Sequence, residues 1–85
     1  MIAYHGTNRE AAASIHKDGF RVETWFAREL LSAILYGGKC IFMVEFSDDP
    51  SMWHGERWED DWQFHLGMRY GPEHIVGYTI YTENL

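Results

Sequence analysis

The chain has one cysteine, Cys40, and two prolines, Pro50 and Pro72, in 85 residues. A single thiol cannot close an internal disulfide, so nothing in the sequence asks for an oxidising compartment. Lying in an apolar run, Cys40 reads as a buried core thiol. Basic residues are also scarce: 7 Lys and Arg stand against 13 Asp and Glu, a formal net charge of -6. The acids thicken at Glu56, Glu59, Asp60 and Asp61, whereas a surface that tracks nucleic-acid phosphates needs the opposite sign. No apolar run nears the roughly 20 residues that span a bilayer, and Met1-Ile2-Ala3-Tyr4-His5 lacks the basic and then apolar order of a leader. The expectation is a cytoplasmic protein with neither nucleic-acid nor membrane partner. His16, His54, His65 and His74 show no ligand spacing such as H-E-x-x-H, so no metal is expected either.

What the chain does have is apolar mass, 46% hydrophobic and 16% aromatic, far from the profile of a disordered segment. At this length one domain, residues 1–85, is expected, with about 60–65% of the unfolded surface buried. Met1 to Tyr4 reads as a short strand running into His5-Gly6-Thr7. Thr7-Asn8-Arg9-Glu10 has the S/T-x-x-E spacing of a capping box, which makes Thr7 the expected cap of a first helix ending near Asp18-Gly19. Thr24-Trp25-Phe26 is a brief extended segment before a second helix, Arg28 to Tyr36, stopped by Gly37-Gly38. Cys40 to Phe46 is apolar on both faces except at Glu45, as befits a central strand. Ser47 to Asp60 has no period and is expected as a loop or an irregular turn. Asp61 to Leu66 alternates, with Trp62, Phe64 and Leu66 on one side and Asp61, Gln63 and His65 on the other. A turn at Gly71-Pro72 leads to a last strand, Ile75 to Tyr81.

At 100° per residue the second helix gathers Leu30, Leu31, Ile34 and Leu35 on one face, and Glu29, Ser32 and Tyr36 on the other. Tyr36 therefore either packs under a second layer or lines a cleft beside Ser32 and Ala33. Trp53, Trp58 and Trp62 fall close together among acids. Such a cluster either closes a small core or, if exposed, forms a partner-binding patch.

Three segments, in order, resemble the ADP-ribosyltransferases, in particular the branch of poly-ADP-ribose polymerases and diphtheria-type toxins. Tyr4-His5-Gly6-Thr7 resembles the first-strand His-Gly-Ser/Thr motif, Thr24-Trp25-Phe26-Ala27 the aromatic-Phe-Ala segment, and Ser32 to Gly37 the helix that ends in Tyr-Gly. The resemblance implies an α+β fold, a split β-sandwich of two small mainly antiparallel sheets with two flanking helices, and NAD as a substrate. It assigns cofactor-binding roles to His5, Gly6, Thr7, Trp25, Phe26, Ser32 and Tyr36. Gly6 would offer its own N–H and C=O to the nicotinamide carboxamide, because no Cβ blocks the approach. His5 would hydrogen-bond the nicotinamide ribose, Thr7 would offer its hydroxyl to the carboxamide, and Trp25 and Tyr36 would sandwich the ring.

In that family the bond between nicotinamide and ribose breaks through an oxocarbenium-like state, which a Glu on a later strand stabilises. Here that strand reads Asp61-Trp62-Gln63-Phe64-His65-Leu66, with no Glu. The catalytic set implied is thus His5 with Asp61 or Gln63, two positions on one strand face between which the pattern does not choose. Asp61 is shorter by one methylene and Gln63 carries no charge. Binding of NAD through its nicotinamide end, to which slow transfer of ADP-ribose to an acceptor protein or slow NAD hydrolysis can be added, is the first expectation. The alternative is a catalytically inactive NAD-binding or protein-interaction module with the same fold. The related RNA 2′-phosphotransferase activity ranks lower, since the basic residues it needs are few.

Overall fold

A computed structural model describes residues 1–47, the backbone of 57–59, and residues 62–82. Among the described residues six strands and two helices follow in the order β1 (Ile2–Thr7), α1 (Arg9–Asp18), β2 (Trp25–Ala27), α2 (Leu30–Tyr36), β3 (Cys40–Glu45), β4 (Arg57–Glu59), β5 (Gln63–Leu66) and β6 (Ile75–Ile80), the last preceded by a 3-10 turn at Pro72–His74. The strands form one antiparallel sheet in the order β4-β5-β2-β1-β3-β6. The α+β class holds, but the expected pair of sheets is joined into one. The joint is slight, because β1 and β2 share the single register pair Tyr4↔Ala27, against six pairs between β1 and β3.

Strand alternation divides the side chains between two faces. On one, all five phenylalanines, Phe20, Phe26, Phe42, Phe46 and Phe64, are buried with Ala3, Val44, Leu66 and Ala12 of α1. Their rings meet edge to face, as at Phe20 and Phe26, 5.0 Å and 73° apart, the arrangement that ring quadrupoles favour. The other face carries a smaller cluster of Ala27, Ile41 and Ala33 of α2, with Tyr4, Ile34 and Trp62 against it. The helices thus lie on opposite faces. β3, expected as central, lies between β1 and β6 and is buried over most of its length, Cys40 included.

Local chemistry corrects several boundaries. α1 is capped by Asn8, whose Oδ1 accepts from the Ala11 N–H at 2.8 Å, and not by Thr7. Thr7 is still in β1, opposite Cys40, so its backbone cannot also supply the cap. At the other end Gly19, φ +79°, donates its N–H to the Ile15 carbonyl at 2.8 Å, a left-handed position that suits glycine. Part of the expected loop is β4, which pairs with β5.

The packing of α2 also differs from the expected stripe. Ala33 and Ile34 face the sheet, while Leu31 and Leu35 are 66% and 75% exposed. The cause is a close approach of backbones: a Cβ on Gly6 would collide with the Ala33 carbonyl oxygen and come within 2.9 Å of the Gly38 oxygen. With glycine at 6 and alanine at 33, the helix seats its narrow side on β1 and turns its leucines outward.

Candidate functional site

The site is built around the end of the β1–β2 ladder. Beyond Tyr4↔Ala27 the register goes no further, and the Trp25 carbonyl instead takes a hydrogen bond from the His5 ring, Nδ1 to O 2.8 Å. A carbonyl only accepts, so Nδ1 carries the proton. The ring edge also meets Phe20 and Phe26, with centroids 5.6 and 6.0 Å away. Burial pushes the His5 pKa below its ordinary 6.5, against the smaller raising effect of the bond to Trp25. At neutral pH the ring is uncharged, and its Nε2 is left as an acceptor.

His5 and Thr7 line a cavity of about 440 Å³ with Asn8, Ser14, Thr24 and one residue of each charge, Glu10 and Arg21. This is within the roughly 300–1,000 Å³ of small-molecule sites. Two of those residues, Arg21 and Thr24, come from the turn between α1 and β2. There Thr24 bonds the Arg21 carbonyl through Oγ1 at 2.7 Å and through its N–H at 3.2 Å. Glu23 in the same turn has φ +66°, a strained setting for a side chain that bears a Cβ, and its N–H is held by the Leu66 carbonyl at 3.0 Å. The only Lys or Arg among the described lining residues is Arg21, and sequence reasoning missed it. The signal available was an arginine two residues after the glycine that ends α1, where a chain leaving a helix passes the strand before it.

The remaining positions divide between the two faces. His5 lies on the phenylalanine side with its cavity. Trp25, 42% exposed, shares the α2 face with Ala27, and its ring meets His65 at 4.4 Å. Tyr36, 74% exposed, lies against Trp62 at 4.9 Å. Gln63, half-buried, is opposite Ala27 on that same face. Trp25 and Tyr36 therefore point away from the face that His5 occupies, and neither is among the described residues lining its cavity. Phe26 is 1% exposed inside the core, which corrects its expected contact with a cofactor: it holds the rings behind His5 in place. Gly6 is buried, with its α-carbon under α2, and Ser32 is half-buried on that helix. Asp61 lies outside the described residues, as do Trp53 and the side chain of Trp58. Among the described residues no cluster of three His, Cys, Asp or Glu is placed to hold a metal, and no helix is long and apolar enough to cross a membrane.

Fold and cavity together define a small α+β domain with one antiparallel sheet, a helix on each face, and a cavity of mixed lining that opens beside a neutral histidine. No protein-family model matches the chain, and no curated protein matches its sequence.

Proposed function

We propose that this domain binds a nicotinamide nucleotide, NAD, in the His5 cavity. The observation that carries the reading is the state of His5: a neutral ring, fixed through Nδ1 to the Trp25 carbonyl, in a cavity that Arg21 also lines. A ribose hydroxyl needs an acceptor, which Nε2 supplies, and a diphosphate needs a cation, which Arg21 supplies. Thr7 adds a hydroxyl that does not cap α1, since Asn8 does so. Trp25, Ser32 and Tyr36 lie on the opposite, α2 face and Gly6 is closed off beneath that helix, so this reading rests on His5, Thr7, Arg21 and Thr24 and not on the ring sandwich that the resemblance implies.

Turnover follows only if a carboxylate stands beside the ribose. Slow ADP-ribosyl transfer or NAD hydrolysis then rests on Asp61, or on Gln63 as a neutral stand-in, with a protein as the acceptor of a transferred group. A domain that binds NAD without turnover is the form of the same reading in which neither residue acts.

A second reading, a protein-interaction module, is favoured by one observation, the exposure of Leu31, Leu35 and Tyr36 on α2. Calorimetry separates the two. NAD should bind the intact protein, and Arg21→Gln should weaken it by about 1.5–3 kcal/mol, the range for a hydrogen bond to a charged group. Absence of heat at millimolar NAD would leave only the second reading.

A further inference from the structure

A second cavity, about 710 Å³, lies on the other side of Thr7 and Asn8 from the first. It forms where three parts of the chain meet: the junction of β1 with α1, the glycine turn after α2, and the end of β6. The Tyr81 N–H donates to the Lys39 carbonyl at 2.8 Å and ties the last two together. At Gly38, φ +144°, a Cβ would come within 2.7 Å of the Thr7 oxygen, so only glycine lets the turn close over the strand end.

The charge of the lining is what sets it apart. In a chain whose acids outnumber its bases 13 to 7, the described lining residues of this cavity include Arg9 and Lys39 and no carboxylate. Neither cation is paired with a carboxylate among the described residues. Tyr81 and Thr82, which bear hydroxyls, line it with them. Two cations with hydroxyl donors match a dianion, while a single carboxylate would leave one cation unmatched. The volume exceeds that of a phosphate group alone, so an organic remainder can follow it inside.

We propose that this cavity, between Arg9 and Lys39, binds the phosphate of a phosphate monoester. The site shares Thr7 and Asn8 with the His5 cavity but has its own cations, Arg9 and Lys39, and does not depend on NAD binding there.

Phenyl phosphate, inorganic phosphate and benzoate are titrated separately into the 15N-labelled protein at constant ionic strength. Phenyl phosphate should give saturable amide shifts at Gly38, Lys39 and Thr82 with a dissociation constant in the millimolar range or below, about 4 kcal/mol or more of binding. Inorganic phosphate should shift the same amides more weakly, and benzoate should not saturate them. Arg9→Gln and Lys39→Gln should each weaken phenyl phosphate by about fivefold or more, while Arg21→Gln, in the other cavity, should leave it unchanged. If inorganic phosphate binds as tightly as the ester, the ligand is free phosphate and the monoester proposal fails. Equal response to benzoate, shifts that never saturate, or undiminished binding in both cation variants would likewise overturn it. A loss confined to Arg21→Gln would move the anion to the His5 cavity. Both substituted side chains are exposed, and retained dispersion of the β3 amides certifies the fold; should one variant unfold, the other decides.

Discussion

Replacing Gly6 by alanine separates the two reasons a glycine could stand there. If the residue serves only a ligand, the free protein should not notice a methyl group. The structure says otherwise, because a Cβ at position 6 collides with the carbonyl oxygen of Ala33 and comes within 2.9 Å of that of Gly38. Both obstacles are main-chain atoms, so no side-chain rotation relieves them. Either α2 moves away from β1, opening the cluster of Ala27, Ala33 and Ile41, or β1 shifts against β3. Overpacking of this kind costs about 1–3 kcal/mol, and with backbone on both sides the upper half of that range is expected. For a domain of 60–100 residues each kcal/mol shifts the midpoint by about 4–8 °C, so Gly6→Ala should melt roughly 10–20 °C lower. Thermal and urea unfolding of the nucleotide-free protein measure it. A variant as stable as the parent would refute the packing account of Gly6 and of the outward turn of the α2 leucines.

Asn8→Ala should destabilise the protein by about 1 kcal/mol by removing the α1 cap, and Thr7→Val should cost less; urea midpoints compare them, and the reverse order would restore Thr7 as the cap. Because burial holds the His5 pKa below 6.5, the unfolded chain binds more protons in the window beneath 6.5. The His5 contribution to stability is therefore full above that pH and lost as pH falls through the lowered folded value. Affinity for NAD should fall over the same window as Nε2 gains a proton, and NMR titration of the ring against calorimetry checks it. On catalysis, Asp61→Asn should abolish most nicotinamide release if Asp61 is the acid, and Gln63→Glu should raise it if Gln63 holds the catalytic position. No change from either substitution, with NAD still bound, leaves a binding module.

What could be read from the residues follows how local each signal is. β3 was legible because a run apolar on both faces has few other places to go, and α1 because Asp18-Gly19 and the Thr7–Glu10 window bracket it. The cap was misplaced by one residue since nothing local says that Thr7 is still paired with Cys40. The outer face of α2 was misassigned for a tertiary reason, the seat that Gly6 gives Ala33. Three-residue β4 is too short for any period to show. The single sheet in place of two hangs on one pair, Tyr4↔Ala27, which no pattern along the chain announces. In the candidate site, His5 and Thr7 stood out by order and spacing, whereas Arg21 and Thr24 reach the cavity through the left-handed turn at Glu23. The burial of Phe26 against the exposure of Tyr36 depended on which strand each aromatic faces.

NAD is proposed to occupy the cavity of His5 and Arg21. Titrating NAD into the 15N-labelled protein tests this, with amide shifts mapped residue by residue and the titration repeated on His5→Ala. The account requires saturable shifts centred on Thr7, Ser14, Arg21 and Thr24, and their loss or strong weakening in the variant. Shifts that are absent at millimolar NAD, or that map to α2 and β6 and survive His5→Ala, would contradict it.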